Sequence, residues 1–530
     1  YTHLELVDRL ISLANDYPDL VKLISIGSSA EGRDIWAIKL SDNVNIDENE
    51  PEVLYTGLHH SREPMSYMNL FYFMDWLLDN YSSDSLAQHL INNRELWFIP
   101  AINPDGLVYN QTIAPNGGGM QRKNMIETCD GGVDGIDLNR NYSYMWGYDN
   151  EGSSPDGCSE TYRGSFPFSE NETQAVKNFV ESKNFPIALN YHSYSNLLIY
   201  PLGYAYDNPI PQNDLDLLIE YGEDMVQFNG YALGSGPELL YPVNGEACDW
   251  MYGSEGILAY TPEIGSFNDG FWPATERIIP LAEENLYPNQ FLGVIAGSKY
   301  DLEISTVDGP FEQNNVYPLN ISVFNQGMGD SNGDVIIMVE SSPNINFELE
   351  EINISRLNSR EFLNLGDITY FSPINSQGSI ENITVHVYDS DGYIYSESIQ
   401  IIIGQTELFI EESFNLANEW TVGGIDDNAT AGIWELSSPN PTYDDFGNIV
   451  QPNEDHSSNG LTCFMTENSN NPNSPGQSDV DGGKTTLFSP VYDLSDYAGA
   501  IVSYWNWYTN NQGNNPGNDL WKVDISSDSG

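Results

Sequence analysis

The chain has 530 residues, 40% hydrophobic and 12% aromatic, and sets 78 Asp+Glu against 18 Lys+Arg for a net charge of −60. It is too apolar to stay disordered and too acidic to bind nucleic-acid phosphates or an anionic membrane. It has no run of 18 apolar residues that would span a bilayer. At roughly 150 residues per domain the length allows about three or four domains. Such a charge strains the compact state by self-repulsion, and saline water or bound divalent cations relieve it. The chain opens at Tyr1 with neither Met nor signal peptide, and reads as processed or trimmed.

In chain order, Leu4, Val7, Leu10, Ile11 and Ala14 share a helix face. Val21–Ile26, Ile35–Leu40 and Glu52–Gly57 read as strands, the last followed by His59 and His60. Pro64, a good first-turn residue, opens an apolar helix over Met65–Asp79. Glu95–Pro100, Ile187–Tyr191 and Ile257–Tyr260 are apolar strands; Gln174–Glu181, Leu215–Phe228 and Thr275–Ala296 are helical. Strands alternating with helices predict an α/β domain over 1–298, with a mixed sheet flanked by helices. Near residue 299 the runs become short and β-rich: Tyr317–Phe324, Val335–Val339, Ile383–Tyr388 and Tyr393–Ile403. They predict an all-β sandwich over 299–404. A region rich in Asn, Gly, Asp and Trp follows over 405–530, with strands at Leu408–Ile410, Gly432–Leu436, Thr486–Phe488, Ile501–Tyr508 and Lys522–Ile525. The last strand has nothing after it to close a sheet, so this third domain is expected to be incomplete.

The chemistry concentrates in the first domain. His60 and Glu63 lie three apart after a strand, so in a turn their side chains point the same way and can meet one cation. Zinc accepts that mixture of ligands and needs a third. His192, at the end of the apolar strand Ile187–Tyr191, is a candidate third ligand. Glu263 ends another apolar strand, where an acid must be paired or solvated. Read singly, each has an ordinary alternative: a surface histidine beside an acid, a core histidine, a structural ion pair.

Read together with other short motifs, they carry a resemblance. Tyr-Pro-Asp-Leu-Val at 17–21, Glu-Gly-Arg-Asp-Ile-Trp-Ala at 31–37, Asn103-Pro104-Asp105-Gly106, Asp137-Leu138-Asn139-Arg140-Asn141-Tyr142 and His192-Ser193-Tyr194-Ser195 follow in order over about 300 residues. Residues 1–298 resemble the zinc carboxypeptidases of the carboxypeptidase A and T type. The resemblance implies one catalytic zinc held by His60, Glu63 and His192, with Glu263 as general base. Arg140, with Asn139, would clamp the substrate's terminal carboxylate, for which a guanidinium is well shaped. Tyr241 would close over the bound residue, Arg62 would contact upstream substrate, and Asp137 would orient a ligand histidine. Cys129 and Cys158 would form a disulfide. The specificity pocket would lie near Gly245–Asp249, where Cys248 offers a small apolar surface and Glu246 an attraction for Lys or Arg, a mixed preference.

One position departs from the family. Its Arg-Lys-x-Arg run becomes Arg122-Lys123-Asn124-Met125, so Met125 stands where an oxyanion-stabilising arginine is expected. Losing one such donor typically costs about 10² to 10³ in rate. Arg122 is the nearest substitute.

Residues 299–404 resemble an immunoglobulin or fibronectin type III-like spacer. Residues 405–530 resemble jelly-roll modules of secreted bacterial metallopeptidases, through Leu487-Phe488-Ser489-Pro490, Ser503–Tyr508 and Asn518-Asp519-Leu520-Trp521. Their Trp and Tyr residues are expected in a core. Asp426-Asp427-Asn428 and Asp479-Val480-Asp481 offer oxygen ligands for calcium. The whole reads as a secreted zinc metallocarboxypeptidase acting on peptide or protein C-termini, with no nucleic acid or membrane span. Its rivals are a peptide-binding pseudo-enzyme crippled at Met125, and a surface adhesion protein touching glycans or cells through its β domains.

Overall fold

The computed structural model describes residues 1–530 apart from 131–133, 208, 341–342, 375–378, 405–406, 416–418, 445–447, 458–459, 470, 474–477, 498–499, 510–519 and 527–530. Thr2 opens α1 (His3–Asp16) with a reciprocal capping box to Glu5. The buried stripe of this helix is Leu6, Leu10 and Leu13, while Leu4 and Ile11 are 69% and 42% exposed. The expected face is corrected in part: Leu10, Val7 and Ala14 do pack on the core, whereas Leu4 and Ile11 do not. The segment is apolar along two stripes that share Leu10, and the core takes the one bearing three leucines.

The α/β part continues as β1 (Val21–Ser28), β2 (Asp34–Leu40), β3 (Glu52–Gly57), α2 (Met65–Asn80), α3 (Ser85–Asn92), β4 (Glu95–Ile99) and α4 (Pro104–Ile113). Then come α5 (Asn171–Val180), β5 (Ile187–Tyr191), β6 (Leu197–Tyr200), α6 (Gln212–Val226), β7 (Ala232–Ser235), α7 (Gly236–Leu239), α8 (Ala247–Glu255), β8 (Leu258–Glu263), α9 (Thr275–Glu284) and α10 (Leu286–Ile295). One sheet orders the strands β1-β2-β4-β3-β5-β8-β6-β7. Its centre, β4-β3-β5-β8, is parallel. Every residue of β3 and β5 is buried, as parallel strands covered on both faces require. Alternate residues feed two cores: Val53, Tyr55, Leu189 and Tyr191 on the face of α2 and α10, Leu54 and Ala188 on the face of α5 and α8.

The helix expected over 275–296 is two helices. Asn285 breaks it, its Nδ2 donating to Leu281 O at 2.9 Å and to Tyr231 Oη at 3.0 Å. No helix among the described residues is long and apolar enough to cross a membrane.

A two-sheet antiparallel part follows: β9 (Tyr300–Thr306), β10 (Tyr317–Asn325), β11 (Val335–Val339), β12 (Ile345–Phe347), β13 (Glu351–Ile354), β14 (Phe362–Pro373), β15 (Ser379–Tyr388) and β16 (Tyr395–Ile403). The sheets are β12-β14-β10-β9 and β13-β11-β15-β16. Alternate residues Leu319, Ile321, Val323, Val335, Ile337, Ile383, Val385 and Val387 face inward and fill the space between them. This part sits directly on the α/β part. Met328 N donates to Ile295 O at 2.8 Å and Gly329 N to Gly297 O at 3.0 Å. A Cβ on Gly327 would collide with the Gly297 carbonyl. Arg360 forks onto Glu220 at 2.9 and 2.6 Å, and Gln326 donates to Glu220 and Asp224.

Beyond 404 the described strands form three two-stranded ladders: Thr421–Val422 with Leu487–Phe488, Trp434–Ser437 with Cys463–Thr466, and Thr442–Tyr443 with Ile449–Gln451. Leu408–Ile410, Ile501–Tyr508 and Lys522–Ile525 are not strands, and Asn518 and Asp519 lie outside the described residues. Leu408, Trp505 and Ile525 are mostly exposed, so the expected aromatic core is not formed by these residues. The physical reason is that their segments lie along no partner strand among the described residues, and a strand without a partner leaves its ladder groups unpaired. Neither expected calcium cluster gathers three acidic ligands among the described residues. Asp427 instead accepts from Thr486 N at 2.7 Å and Thr486 Oγ1 at 2.6 Å.

Candidate active site

Because β3, β5 and β8 are parallel neighbours, their carboxyl ends open on the same edge of the sheet, where α/β proteins place ligands. After β3, Leu58 turns the chain through φ 59° and the turn at 59–64 leads into α2. Glu63 N donates to His60 O at 3.1 Å, closing the turn. The two side chains then share one side: His60 Nδ1 lies 2.9 Å from Glu63 Oε1. His192, one residue past β5, brings its Nδ1 to 2.9 Å from Glu63 Oε2 and 3.0 Å from His60 Nδ1. All three residues are buried, and their donor atoms lie within 4.8 Å of one another. Two imidazole nitrogens and a carboxylate crowded this closely need a proton or a cation among them, and the set is one that zinc takes with positions left open. His59 faces elsewhere, its Nε2 2.8 Å from Tyr142 Oη.

Asp137, fully buried, organises this centre from behind. Its Oδ1 lies 3.2 Å from His60 Nε2 and accepts from Asn139 N at 3.0 Å; its Oδ2 accepts from Arg122 Nε at 3.0 Å and Nη2 at 2.9 Å. Burial alone would raise its carboxyl, but Arg122, then Arg140 and His60, hold it well below the usual range. The same balance holds Glu63 low, with His60 and His192 outweighing its burial. Burial, then His60, lowers His192. Glu263 ends β8 beside His192: His192 N donates to Pro262 O at 2.9 Å and Ile264 N to His192 O at 3.0 Å. Desolvation, then the charge of Glu63, pushes the Glu263 carboxyl well above its ordinary value, although the residue keeps some contact with solvent.

Comparison with known proteins decides what this centre belongs to. The zinc carboxypeptidase family (Peptidase_M14) matches residues 6–288, more than half of the chain. The chain belongs to the zinc carboxypeptidase family. It is 34% identical over 294 residues to a zinc carboxypeptidase of Saccharothrix mutabilis subsp. capreolus, spanning 53% of this chain and 66%, just under two thirds, of that one. It is 34% identical over 283 residues to carboxypeptidase B of Astacus astacus, spanning 52% and 89%. The crystal structure of thrombin activatable fibrinolysis inhibitor aligns with a TM-score of 0.50 at 26% identity, over 55% of this chain and 73% of that one.

Around the centre of this zinc carboxypeptidase domain the other expected residues fall as follows. Arg140 is buried, donating from Nε to Gly152 O at 3.0 Å and from Nη1 to Asn139 O at 2.8 Å. Asn139 accepts from Ala247 N at 2.9 Å, and its Nδ2 lies 3.4 Å from His192 Nε2. Tyr241 is half exposed in the segment after α7 and lies within electrostatic reach of Arg122. Arg62 stacks over Phe271 at 4.3 Å, and burial, then Arg122, lowers its pKa. Met125 is half-buried. Cys248 packs in the core under α8, its thiol donating to Ala259 O at 3.3 Å. Glu246 is nearly buried at the start of α8, and burial pushes its carboxyl up to about 7. Cys129 and Cys158 form a disulfide, closing the loop that carries Asp137, Asn139 and Arg140. The sequence reading passed over Asp249, which touches Glu246. An acid inside the apolar stretch Ala247–Met251 was the signal for it.

Proposed function

We propose that residues 1–298 are a zinc-dependent carboxypeptidase domain removing the last residue of peptides, followed by an immunoglobulin-like sandwich at 299–404 and an accessory region at 405–530, in a secreted protein. The observation that carries this is the meeting of His60 Nδ1, His192 Nδ1 and the Glu63 carboxylate beside Glu263. His60, Glu63 and His192 would hold the zinc. When bound, zinc supplies Lewis acidity, making water acidic near neutral pH and polarising a carbonyl.

The chain's own residues do the rest. Asp137 holds the Nε2 side of His60 and so presents Nδ1 to the centre. Glu263, its proton affinity raised by burial, takes a proton from the attacking water at its carboxylate and returns it to the leaving nitrogen. Arg140, anchored through Nε and Nη1, keeps Nη2 for the terminal carboxylate, and Tyr241 covers the bound residue.

The second reading is a peptide binder with slow turnover. It is favoured by Arg122, which spends Nε and Nη2 on Asp137, while Met125 fills the expected arginine position. A panel of N-blocked peptides, assayed for free amino acid with and without a zinc chelator, separates the two. Chelator-sensitive release of the last residue alone supports the peptidase. No release from protein carrying one zinc supports the binder.

A further inference from the structure

We infer that Lys299 and Gln326 become joined by an isopeptide bond, which the chain forms by itself with loss of one ammonia. The bond lies outside the carboxypeptidase site, and neither reading needs the other. Strands β9 and β10 are antiparallel neighbours whose last pair is Tyr300 with Asn325. Lys299 and Gln326 face each other one step beyond it, Gln326 N donating to Lys299 O at 2.7 Å. Asn325 Oδ1 braces both segments, accepting from Lys299 N at 3.2 Å and Gly327 N at 3.1 Å. Lys299 Nζ donates to Gln326 Oε1, so the amide carbon lies one C=O bond, about 1.23 Å, beyond the atom that Nζ already touches. On the far side of the amide, Nε2 donates to Glu220 Oε1 at 3.0 Å and to Asp224 Oδ2 at 2.9 Å. Gln326 is 6% exposed.

These groups divide the work of an acyl transfer. Asp301 Oδ1, 2.7 Å from Lys299 Nζ, takes a proton from the ammonium and passes it to solvent. The freed amine attacks Gln326 Cδ, forming the Nζ–Cδ bond and moving the carbonyl electrons onto Oε1. When the carbonyl re-forms, the Cδ–Nε2 bond breaks with its electron pair on Nε2. Asp224 gives Nε2 a proton and ammonia leaves; the spare proton on Nζ restores Asp224 through solvent. Nothing is oxidised or reduced. Asp224 suits the acid's part, because burial raises its carboxyl. Glu220 is taken up by the Arg360 fork and keeps the amide nitrogen in place. Two groups held in contact need no encounter, and escape of ammonia lets even a slow reaction run to completion.

The test is intact mass of the full chain, reduced and unfolded after long incubation of the folded protein at mildly alkaline pH. Expected is a mass lighter by one ammonia, with the Lys299–Tyr300 bond resistant to trypsin. A protease cutting after Glu303 and Glu312 should leave the segments bearing Lys299 and Gln326 joined as one branched fragment, which locates the bond without any variant. Lys299→Arg should keep its full mass, and Asp224→Asn should gain the bond at least about 10-fold more slowly. Wild-type protein of full mass, cut freely by trypsin at Lys299, overturns the bond. So does ammonia lost equally from K299R, which marks ring closure at an Asn-Gly pair such as Asn116-Gly117. An unchanged rate in D224N overturns the acid assigned to the step.

Discussion

Asp137→Asn changes almost no volume and removes one charge, yet it should disturb two things at once. The carboxylate has four donors around it: His60 Nε2, Asn139 N, and two nitrogens of Arg122. An amide can turn only one oxygen to them, so its NH₂ must face either the Arg122 fork or the His60 and Asn139 nitrogens. The Arg122 side chain is 9% exposed, and breaking a buried ion pair from one side costs about 3–5 kcal/mol. For a domain near 300 residues that is a melting shift of about 5–8 °C downward. The same change takes the anionic partner from His60, for which outer-sphere substitutions cost about 10- to 100-fold in metal affinity. Thermal unfolding of zinc-free protein reads the first effect. Competition for zinc against a coloured chelator reads the second. A variant melting within about 1 °C of wild type and binding zinc within about twofold would refute the role given to Asp137.

Three further outcomes follow from other regions. Replacing Cys129 and Cys158 by serine opens a loop of 29 residues' separation, which the chain-entropy model values at about 3.5 kcal/mol; a loss below about 1 kcal/mol in denaturant unfolding contradicts it. Glu172 is fully buried, one of its oxygens accepting from Ala30 N at 3.0 Å, and burial raises its carboxyl to about 7. A carboxyl that binds its proton more tightly when folded stabilises the fold below about pH 4.5 and loses that contribution as pH rises through 7, a swing of about 3 kcal/mol; Glu172→Gln should flatten this part of the stability-pH curve, and parallel curves for the two proteins would rule it out. Leu10→Ala should cost about 2–5 kcal/mol and Leu4→Ala less than about 0.5, since Leu10 is fully buried and Leu4 mostly exposed; equal costs would restore the face first expected of α1.

What was legible in the sequence depended on how many constraints each segment obeys. Ile187–Tyr191 was bounded to the residue because a parallel strand covered on both faces reads as a nearly continuous apolar run, its one polar member, Asn190, accepting from Thr56 Oγ1 at 2.8 Å. The grouping of His60, Glu63 and His192 was legible through the resemblance carried by the ordered motifs, each residue being ambiguous when read singly. Helix α8 was not, because it is buried nearly all round at its start and shows little amphipathic contrast; with it went the contact between Glu246 and Asp249. The break at Asn285 escaped because the side chain that makes it finds its partner Tyr231 some fifty residues away. In 501–508, apolar and aromatic residues suggested a strand, but pairing is a property of two segments, and one segment's composition does not name its partner.

The seam at residues 295–297 and 327–329 sets a condition on how this architecture can be taken apart or recombined. There the two backbones bond directly, and glycine at 327 is the side chain the approach permits. A fragment ended at the boundary read from sequence would bare the Ile295 and Gly297 carbonyls and leave Glu220 and Asp224 without the groups that answer them. The β sandwich is thus a wall of the α/β part rather than a tethered module. A different module could replace it only by bringing its own close-fitting glycine turn, so inheritance of the two as a single block is the simpler course.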